Sequence, residues 1–198
     1  MDGIKIESLK SYLGHITEEE LIQFATKIYM ITNFIVEDYP QYKEWYFTKQ
    51  LPETIYGNRR NILFVRNPKD EQEIIAMACL KKEAGEQKLC TLYVSSQYRS
   101  LGIGTAMVEE AMHWLGTTRP FITFVDYKLE MFRSMIYKYD WELTDVVLGV
   151  CPDRGQELCF NGVMVKNNEK NLEQKLHKRF VKILKNRMIQ RQDKNENR

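Results

Sequence analysis

The stretch Leu89-Cys-Thr-Leu-Tyr-Val-Ser-Ser-Gln-Tyr-Arg-Ser-Leu-Gly-Ile-Gly-Thr105 decides how this chain folds. It begins as an apolar strand that ends at Val94, continues as a polar loop with a glycine-rich turn, and then enters a helical pattern. A helix start exposes unpaired backbone N–H groups and the positive end of the helix dipole, and glycine lets that backbone approach a ligand closely. The stretch therefore predicts an anion site at residues 102–105.

The spacing of the glycines separates this turn from two common phosphate-binding motifs. A P-loop ends in Gly-Lys-Ser or Gly-Lys-Thr, which the turn lacks. The dinucleotide fingerprint needs a third glycine at position 107, where this chain has Met107. The pattern that remains is Arg99-x-x-Gly102-x-Gly104 between a strand and a helix.

The helix and the elements that follow it are predicted from apolar spacing. Apolar residues at intervals of three and four continue from Gly104 and stop at Gly116, which is a typical residue after a helix C-terminus. A short buried strand is predicted at 121–125, a helix at 129–139, and two further strands at 145–151 and 158–165.

The elements before the glycine turn are two helices and three strands. Thr17 and Glu20 form a capping-box pattern at the start of the first helix, and an aromatic helix is predicted from Tyr42 towards Leu51, before Pro52 and Gly57 break the pattern. Strands are predicted at 61–66, 74–80 and 89–94. This order predicts a mixed α/β domain on a central sheet and excludes a purely parallel dinucleotide-binding sheet.

Charge divides the chain into an acidic body and a basic extension. Residues 166–198 contain 11 Lys or Arg and 4 Asp or Glu, a balance of +7, whereas residues 1–165 contain 18 and 23, a balance of −5. We therefore predict a domain at 1–165 and a basic helical extension at 166–198 with a disordered end. The apolar stripe of the extension favours docking on the body or on a second copy, as a homodimer; the alternative is a basic face that binds nucleic acid or the ribosome.

Composition excludes several classes of protein. The four cysteines are widely spaced, with no histidine cluster, so no metal site is expected and reduced cysteines are the default. No run approaches the roughly 18 uninterrupted apolar residues of a membrane span. Residues 1–12 carry the charged residues Asp2, Lys5, Glu7 and Lys10 and lack the apolar segment of a signal peptide. A cytoplasmic protein without a membrane partner is expected.

The segment from Leu80 to Leu143, with its strand, its Arg99-x-x-Gly102-x-Gly104 turn and its helix, resembles motif A of the GNAT superfamily of acyl-CoA-dependent N-acyltransferases. The resemblance implies a mixed, mostly antiparallel central sheet flanked by helices. It also implies an acetyl-CoA-dependent N-acetyltransferase, in which the amine of a small molecule or peptide attacks the thioester directly in a ternary complex. The alternative is a non-catalytic acyl-CoA-binding or nucleic-acid-associated module.

The resemblance assigns the coenzyme site residue by residue. The pyrophosphate is expected on the backbone amides of the turn, and the pantetheine arm beside the strand end, where the N–H of Val94 is the expected oxyanion donor. The coenzyme-binding residues are thus Tyr93, Val94, Arg99, Ser100, Leu101, Gly102, Ile103, Gly104 and Thr105.

The acid and the base are assigned less directly. Family members carry a tyrosine four residues before a Gly-Phe pair, and here Asp140 and Trp141 stand at that pair, so strict spacing gives Ile136. Tyr137 and Tyr139 are therefore the candidate acids. Asp126, after the strand at 121–125, is a candidate base or cation contact; the alternative is a turn or capping residue.

Overall fold

A computed structural model describes residues 4–148 and 155–164. The chain divides into two compact units, of which the first ends at Pro120 and the second begins at Phe121. The predicted extension at 166–198 and its role in dimerisation or nucleic-acid binding lie outside the described residues. The predicted domain boundary near Lys166 therefore stays a prediction.

The first unit contains, within its described residues, four antiparallel strands in chain order. They are β1 (Ile6–Ser8), β2 (Arg60–Asn67), β3 (Asp70–Glu83) and β4 (Glu86–Val94). The predicted strands at 61–66, 74–80 and 89–94 are confirmed, although β3 is twice as long as its buried centre indicated, because both of its ends are polar. β1 was not predicted, since three residues are too few to show a period.

Both faces of this sheet are covered. Ile62 and Phe64 of β2, with Met77 and Cys79 of β3, face a core built with the N-terminal helices. Ala76 and Ala78, which alternate with Met77 and Cys79 along β3, are also buried, on the opposite face of the sheet, as the period of two in a strand requires. The helix α4 (Ile103–Leu115) packs against β3 and β4.

The N-terminal helices follow the sequence pattern with one exception. The capping box of Thr17 and Glu20 is present at the start of α1 (Glu18–Met30). The aromatic region forms α2 (Tyr42–Trp45), a π-helical turn (Tyr46–Gln50) and α3 (Leu51–Ile55). Of the two residues expected to break this pattern, Gly57 does follow the end of α3, whereas Pro52 lies in the first turn of α3, where its missing N–H costs no hydrogen bond.

The second unit contains β5 (Phe121–Val125), α5 (Leu129–Lys138), β6 (Leu143–Val147) and β7 (Glu157–Phe160) among its described residues. β7 pairs antiparallel with both β5 and β6. Phe124 of β5 stacks on Phe132 of α5 with ring centroids 4.4 Å apart, which holds the helix against the strands. The predicted mixed α/β class, with a mostly antiparallel sheet and flanking helices, is confirmed.

Three cysteines of the described residues, Cys79, Cys90 and Cys159, are free thiols, and burial raises the pKa of the Cys79 thiol. Among residues 4–148 and 155–164, no helix combines the length and the apolar character that crossing a bilayer requires.

Candidate functional site

The candidate site is built on the segment that joins β4 to α4. The N–H of Ser95 donates to the carbonyl of Ile75 at 2.8 Å, which is the last hydrogen bond of the chain to β3 before the loop. The chain then makes a short 3₁₀ turn (Ser96–Tyr98) and enters α4 at Ile103. Strand, loop and helix start are therefore continuous, as predicted.

The start of α4 is open to an anion. Gly102 is the N-cap residue with φ of +77°, a conformation that glycine adopts without steric cost, and in the described part of the chain no side chain caps this helix. The first intrahelical bond runs from the N–H of Ala106 to the carbonyl of Gly102 at 3.0 Å. The amides of Ile103, Gly104 and Thr105 precede it, so they and the helix dipole can receive a phosphate.

The loop before Gly102 carries strain and an arginine contact. Ser100 has φ of +62°, an unusual conformation for a residue with a side chain, and such strain is typical of ligand-binding loops. The Nε of Arg99 donates to the carbonyl of Val94 at 3.1 Å. Arg99 therefore holds the loop against the end of β4 with one of its five N–H donors. Leu101, which lies between Ser100 and Gly102 in the chain, is exposed.

The backbone of Val94 is directed away from β3. Ala76 and Val94 are register partners, and the bond from Ser95 to Ile75 joins the residues on either side of that pair. In an antiparallel ladder this pattern marks a pair that makes no hydrogen bonds with each other. The N–H of Val94 is consequently free of the β3 ladder, in the orientation that an oxyanion donor or a pantetheine contact needs.

Tyr93 differs from its neighbour in this respect. It is the register partner of Met77, and by the same alternation its backbone groups bond to β3. Its ring packs beside Phe34, with centroids 5.4 Å apart, at the edge of the core. Of the two predicted strand contacts, the backbone of Val94 is not bonded to β3, whereas the backbone of Tyr93 is.

The candidate acids lie in the second unit. α5 is regular to Lys138, and Asp140 adopts φ of +50°, the conformation for which glycine is the usual residue. Ile136, which strict spacing places at the tyrosine position, is buried, and Tyr137 is one residue, about 100°, further round the helix. The ring of Tyr139 lies 5.6 Å from that of Trp141.

The candidate base lies where β5 ends. The N–H of Asp126 donates to the carbonyl of Gln156 at 2.8 Å, and a Cβ at Gly155 would overlap Oδ1 of Asp126, so this carboxyl lies against the start of β7. Glu157 there is a carboxyl that sequence analysis missed. It is 1% exposed and opposite Val125, and nothing in its local pattern signals burial.

The structure thus gathers the predicted coenzyme residues into one continuous segment of the first unit, and places Asp126, Tyr137 and Tyr139 in the second. In the described ranges no group of three or more His, Cys, Asp and Glu is arranged to hold a metal ion. The uncapped helix start and the Val94 amide, which makes no hydrogen bond to β3, fit an acyl-CoA, whose pyrophosphate and amide groups need backbone donors.

Comparisons with known proteins agree with this geometry. Residues 22–125 match the model of the Acetyltransferase (GNAT) family. No relative was found among curated proteins. A ribosomal-protein-S18-alanine N-acetyltransferase structure from Escherichia coli matches with a TM-score of 0.56 and 13% identity, covering 84% of this chain and 99% of that one.

Two further structures share the fold. Naa50 from Arabidopsis thaliana, in complex with a bisubstrate analogue, matches with a TM-score of 0.50 and 14% identity over 81% of this chain and 99% of that chain. A spermidine N-acetyltransferase SpeG chimera from Vibrio cholerae and hSSAT matches with a TM-score of 0.50 and 8% identity over 80% and 94%. The chain spans 64% of a nourseothricin acetyltransferase that it also matches, less than two thirds of that protein.

The anion site predicts a difference between the two ends of α4. Gly102 and Gly116 both have left-handed φ, so valine at either position costs a similar amount, about 1–2 kcal/mol or more. We expect inorganic pyrophosphate to raise the Tm of wild-type protein and of G116V, but not of G102V, in thermal denaturation followed by circular dichroism. An equal response of both variants would contradict an anion site at Gly102.

Proposed function

The chain belongs to the GNAT acetyltransferase family, and from this we propose that it transfers the acetyl group of acetyl-CoA to a primary amine. The observation that carries the proposal is the Val94 backbone, which is free of the β3 ladder and is followed, after the loop at 95–102, by an uncapped helix that starts at a glycine. A hydrogen-bond donor for the thioester carbonyl oxygen and a site for the pyrophosphate anion lie on one short segment, as binding of an acyl-CoA requires.

The proposed coenzyme contacts are mainly backbone groups. The amides from Leu101 to Thr105 receive the pyrophosphate, Arg99 and Ser100 shape the loop, and Val94 pairs with the pantetheine arm beside Tyr93. Acetyl-CoA supplies an activated acyl group. The remaining work of the chain is to hold that group, to stabilise charge on its carbonyl oxygen and to move protons.

In the proposed direct mechanism, acceptor and acetyl-CoA are bound together. The N–H of Val94 donates to the acetyl oxygen as it gains negative charge. A phenol, Tyr137 or Tyr139, gives a proton to the departing thiolate, and Asp126 takes the amine proton through water or holds a cationic acceptor. These side-chain roles remain proposals.

The acceptor is proposed as an amine on a small molecule or a peptide. Structural neighbours include enzymes named for spermidine and for the alanine of ribosomal protein S18, so the fold accommodates both kinds. The balance of −5 in residues 1–165 favours a cationic acceptor by long-range attraction. A cytoplasmic location and a homodimer through the extension belong to the proposal too.

A second candidate, a non-catalytic acyl-CoA-binding module, is favoured by one observation. The helix α5 carries Ile136 where the family tyrosine is expected, and this residue is built into a regular helix. Such a protein would bind the coenzyme without releasing thiol.

Acetyl-CoA binding and thiol release separate the two candidates. We expect acetyl-CoA at about 100 times its Kd to raise Tm by about 5 °C or more, because ligand binding to the native state stabilises it. We also expect free coenzyme A thiol to appear only when an amine is added, from a panel of spermidine, lysine and N-terminal peptides. Stabilisation without release would support the binding module, and no stabilisation would reject both.

The oxyanion role of Val94 can be tested by removing its N–H. V94P eliminates the donor without breaking a β3 hydrogen bond, because this N–H is not part of that ladder. We expect kcat to fall about 10²–10³-fold, the usual cost of one oxyanion donor. Y93P is the contrasting variant, since its lost N–H bonds to Met77 and its Tm should fall. An unchanged kcat in folded V94P would remove Val94 from the mechanism.

The acid is tested by Y137F and Y139F, which remove a hydroxyl and keep the ring. Because general acids typically contribute about 10²–10⁴-fold, we expect one variant to lose at least tenfold in kcat and the other to resemble wild type. Steady-state thiol release measures both. Full activity of the Y137F/Y139F double variant would exclude either phenol as the acid.

A further inference from the structure

The proposed coenzyme loop is attached through Tyr98 to the hairpin between β2 and β3, which is distant from it in sequence. Tyr98 ends the 3₁₀ turn immediately before Arg99, and its N–H donates to the carbonyl of Ser95 at 2.9 Å. Its hydroxyl reaches the hairpin where β2 turns into β3, which lies at the same end of the sheet as the C-terminus of β4. The Tyr98 side chain therefore links the loop to that hairpin.

The link is a closed triangle of hydrogen bonds. Nδ2 of Asn67 donates to the hydroxyl of Tyr98 at 2.9 Å and to Oε2 of Glu73 at 2.5 Å, and the Tyr98 hydroxyl donates to the same oxygen at 3.2 Å. Oδ1 of Asn67 accepts from the N–H of Lys69 at 3.0 Å, within the turn. Every hydrogen of the Asn67 amide and of the phenol is therefore used.

An irregularity in the hairpin places Glu73 for this contact. Arg66 pairs with Ile74 and Asn67 with Asp70, so residues 71–73 of β3 have no register partner in β2. Such bulges redirect side chains. Burial and the bond to Glu73 raise the pKa of Tyr98, so the phenol keeps the proton that it donates.

The loop needs a constraint of this kind. Ser100 and Gly102 both have left-handed φ, and the loop between Tyr98 and Ile103 is largely exposed. A loop that is ordered only on binding costs affinity, whereas one held in place beforehand does not.

We propose that Tyr98 is a positioning residue for coenzyme A, clamped by Asn67 and Glu73 so that the loop at 99–102 presents its amides before the coenzyme arrives. The inference rests on the proposed function. It assigns Tyr98 an effect on coenzyme affinity and none on the chemical step, because the phenol is directed to the hairpin.

The first test compares two phenols that make similar contacts. Y98F removes the hydroxyl and leaves the Asn67 to Glu73 bond in place. Tyr12 is the matched control, because its hydroxyl donates to Glu7 at 2.6 Å and accepts from Arg66 at 3.4 Å, beside β1 and β2. We expect Y98F to raise KM and Kd for acetyl-CoA about tenfold with kcat within about twofold, and Y12F to change neither, although both lower Tm slightly.

The second test exchanges the partners of the clamp. N67D removes the donors and sets two carboxylates side by side, so KM for acetyl-CoA should rise as in Y98F. N67D/E73Q restores a donor at 73 and an acceptor at 67, and should recover most of the lost affinity. If Asn67 and Glu73 only stabilise the fold, KM for acetyl-CoA in N67D/E73Q should return towards the wild-type value no further than Tm does.

The outcomes separate the inference from its premise. Wild-type protein that neither gains stability from acetyl-CoA nor releases thiol overturns the proposed function. Wild-type binding with an unchanged KM in Y98F, or with a fall in kcat at constant KM, overturns the positioning role alone. Equal effects of Y98F and Y12F on KM overturn it as well.

Discussion

The hydrogen bond from Ser95 to Ile75, with the register of β3 and β4 that it completes, fixes the candidate site. It makes Ala76 and Val94 a pair without mutual hydrogen bonds, and this alone frees the Val94 amide from the ladder. A shift of one residue would turn that amide into the ladder and bring the side chain of Val94 to the other face. The loop and α4 are then aligned by where the strand ends. The site therefore depends on the pairing more than on any side chain in it.

Much of this architecture could be predicted from sequence because the signals are local. The capping box of Thr17 and Glu20 and the glycine at 116 set helix limits through chemistry within a few residues, and all were found. The buried centre of β3 was found and its polar ends were not, because solvent-facing strand ends lack a hydrophobic period. Pro52 was misplaced because its cost depends on its position in a helix, which the π-helical turn before it determines.

The remaining features depend on contacts between distant residues. The outward direction of Val94 follows from register, and the clamp on Tyr98 follows from a bulge at residues 71–73, whose Glu73 lies 25 residues before Tyr98 in the chain. No spacing rule connects Asn67 or Glu73 with Tyr98. In the second unit, Asp140 has the left-handed φ that favours glycine, which supports the alignment of residues 140 and 141 with a Gly-Phe pair. This alignment places Ile136, and not a tyrosine, at the position of the family acid.

The reliance on backbone groups has an evolutionary consequence. The N–H at position 94 or 103 is present with any residue except proline, so most side-chain substitutions along the segment leave these donors in place. Structures that share this fold with the chain are only 8–14% identical to it. Alanine substitution at such positions keeps the backbone N–H and should change activity little, whereas replacement by proline or by a backbone ester removes the N–H and should lower activity.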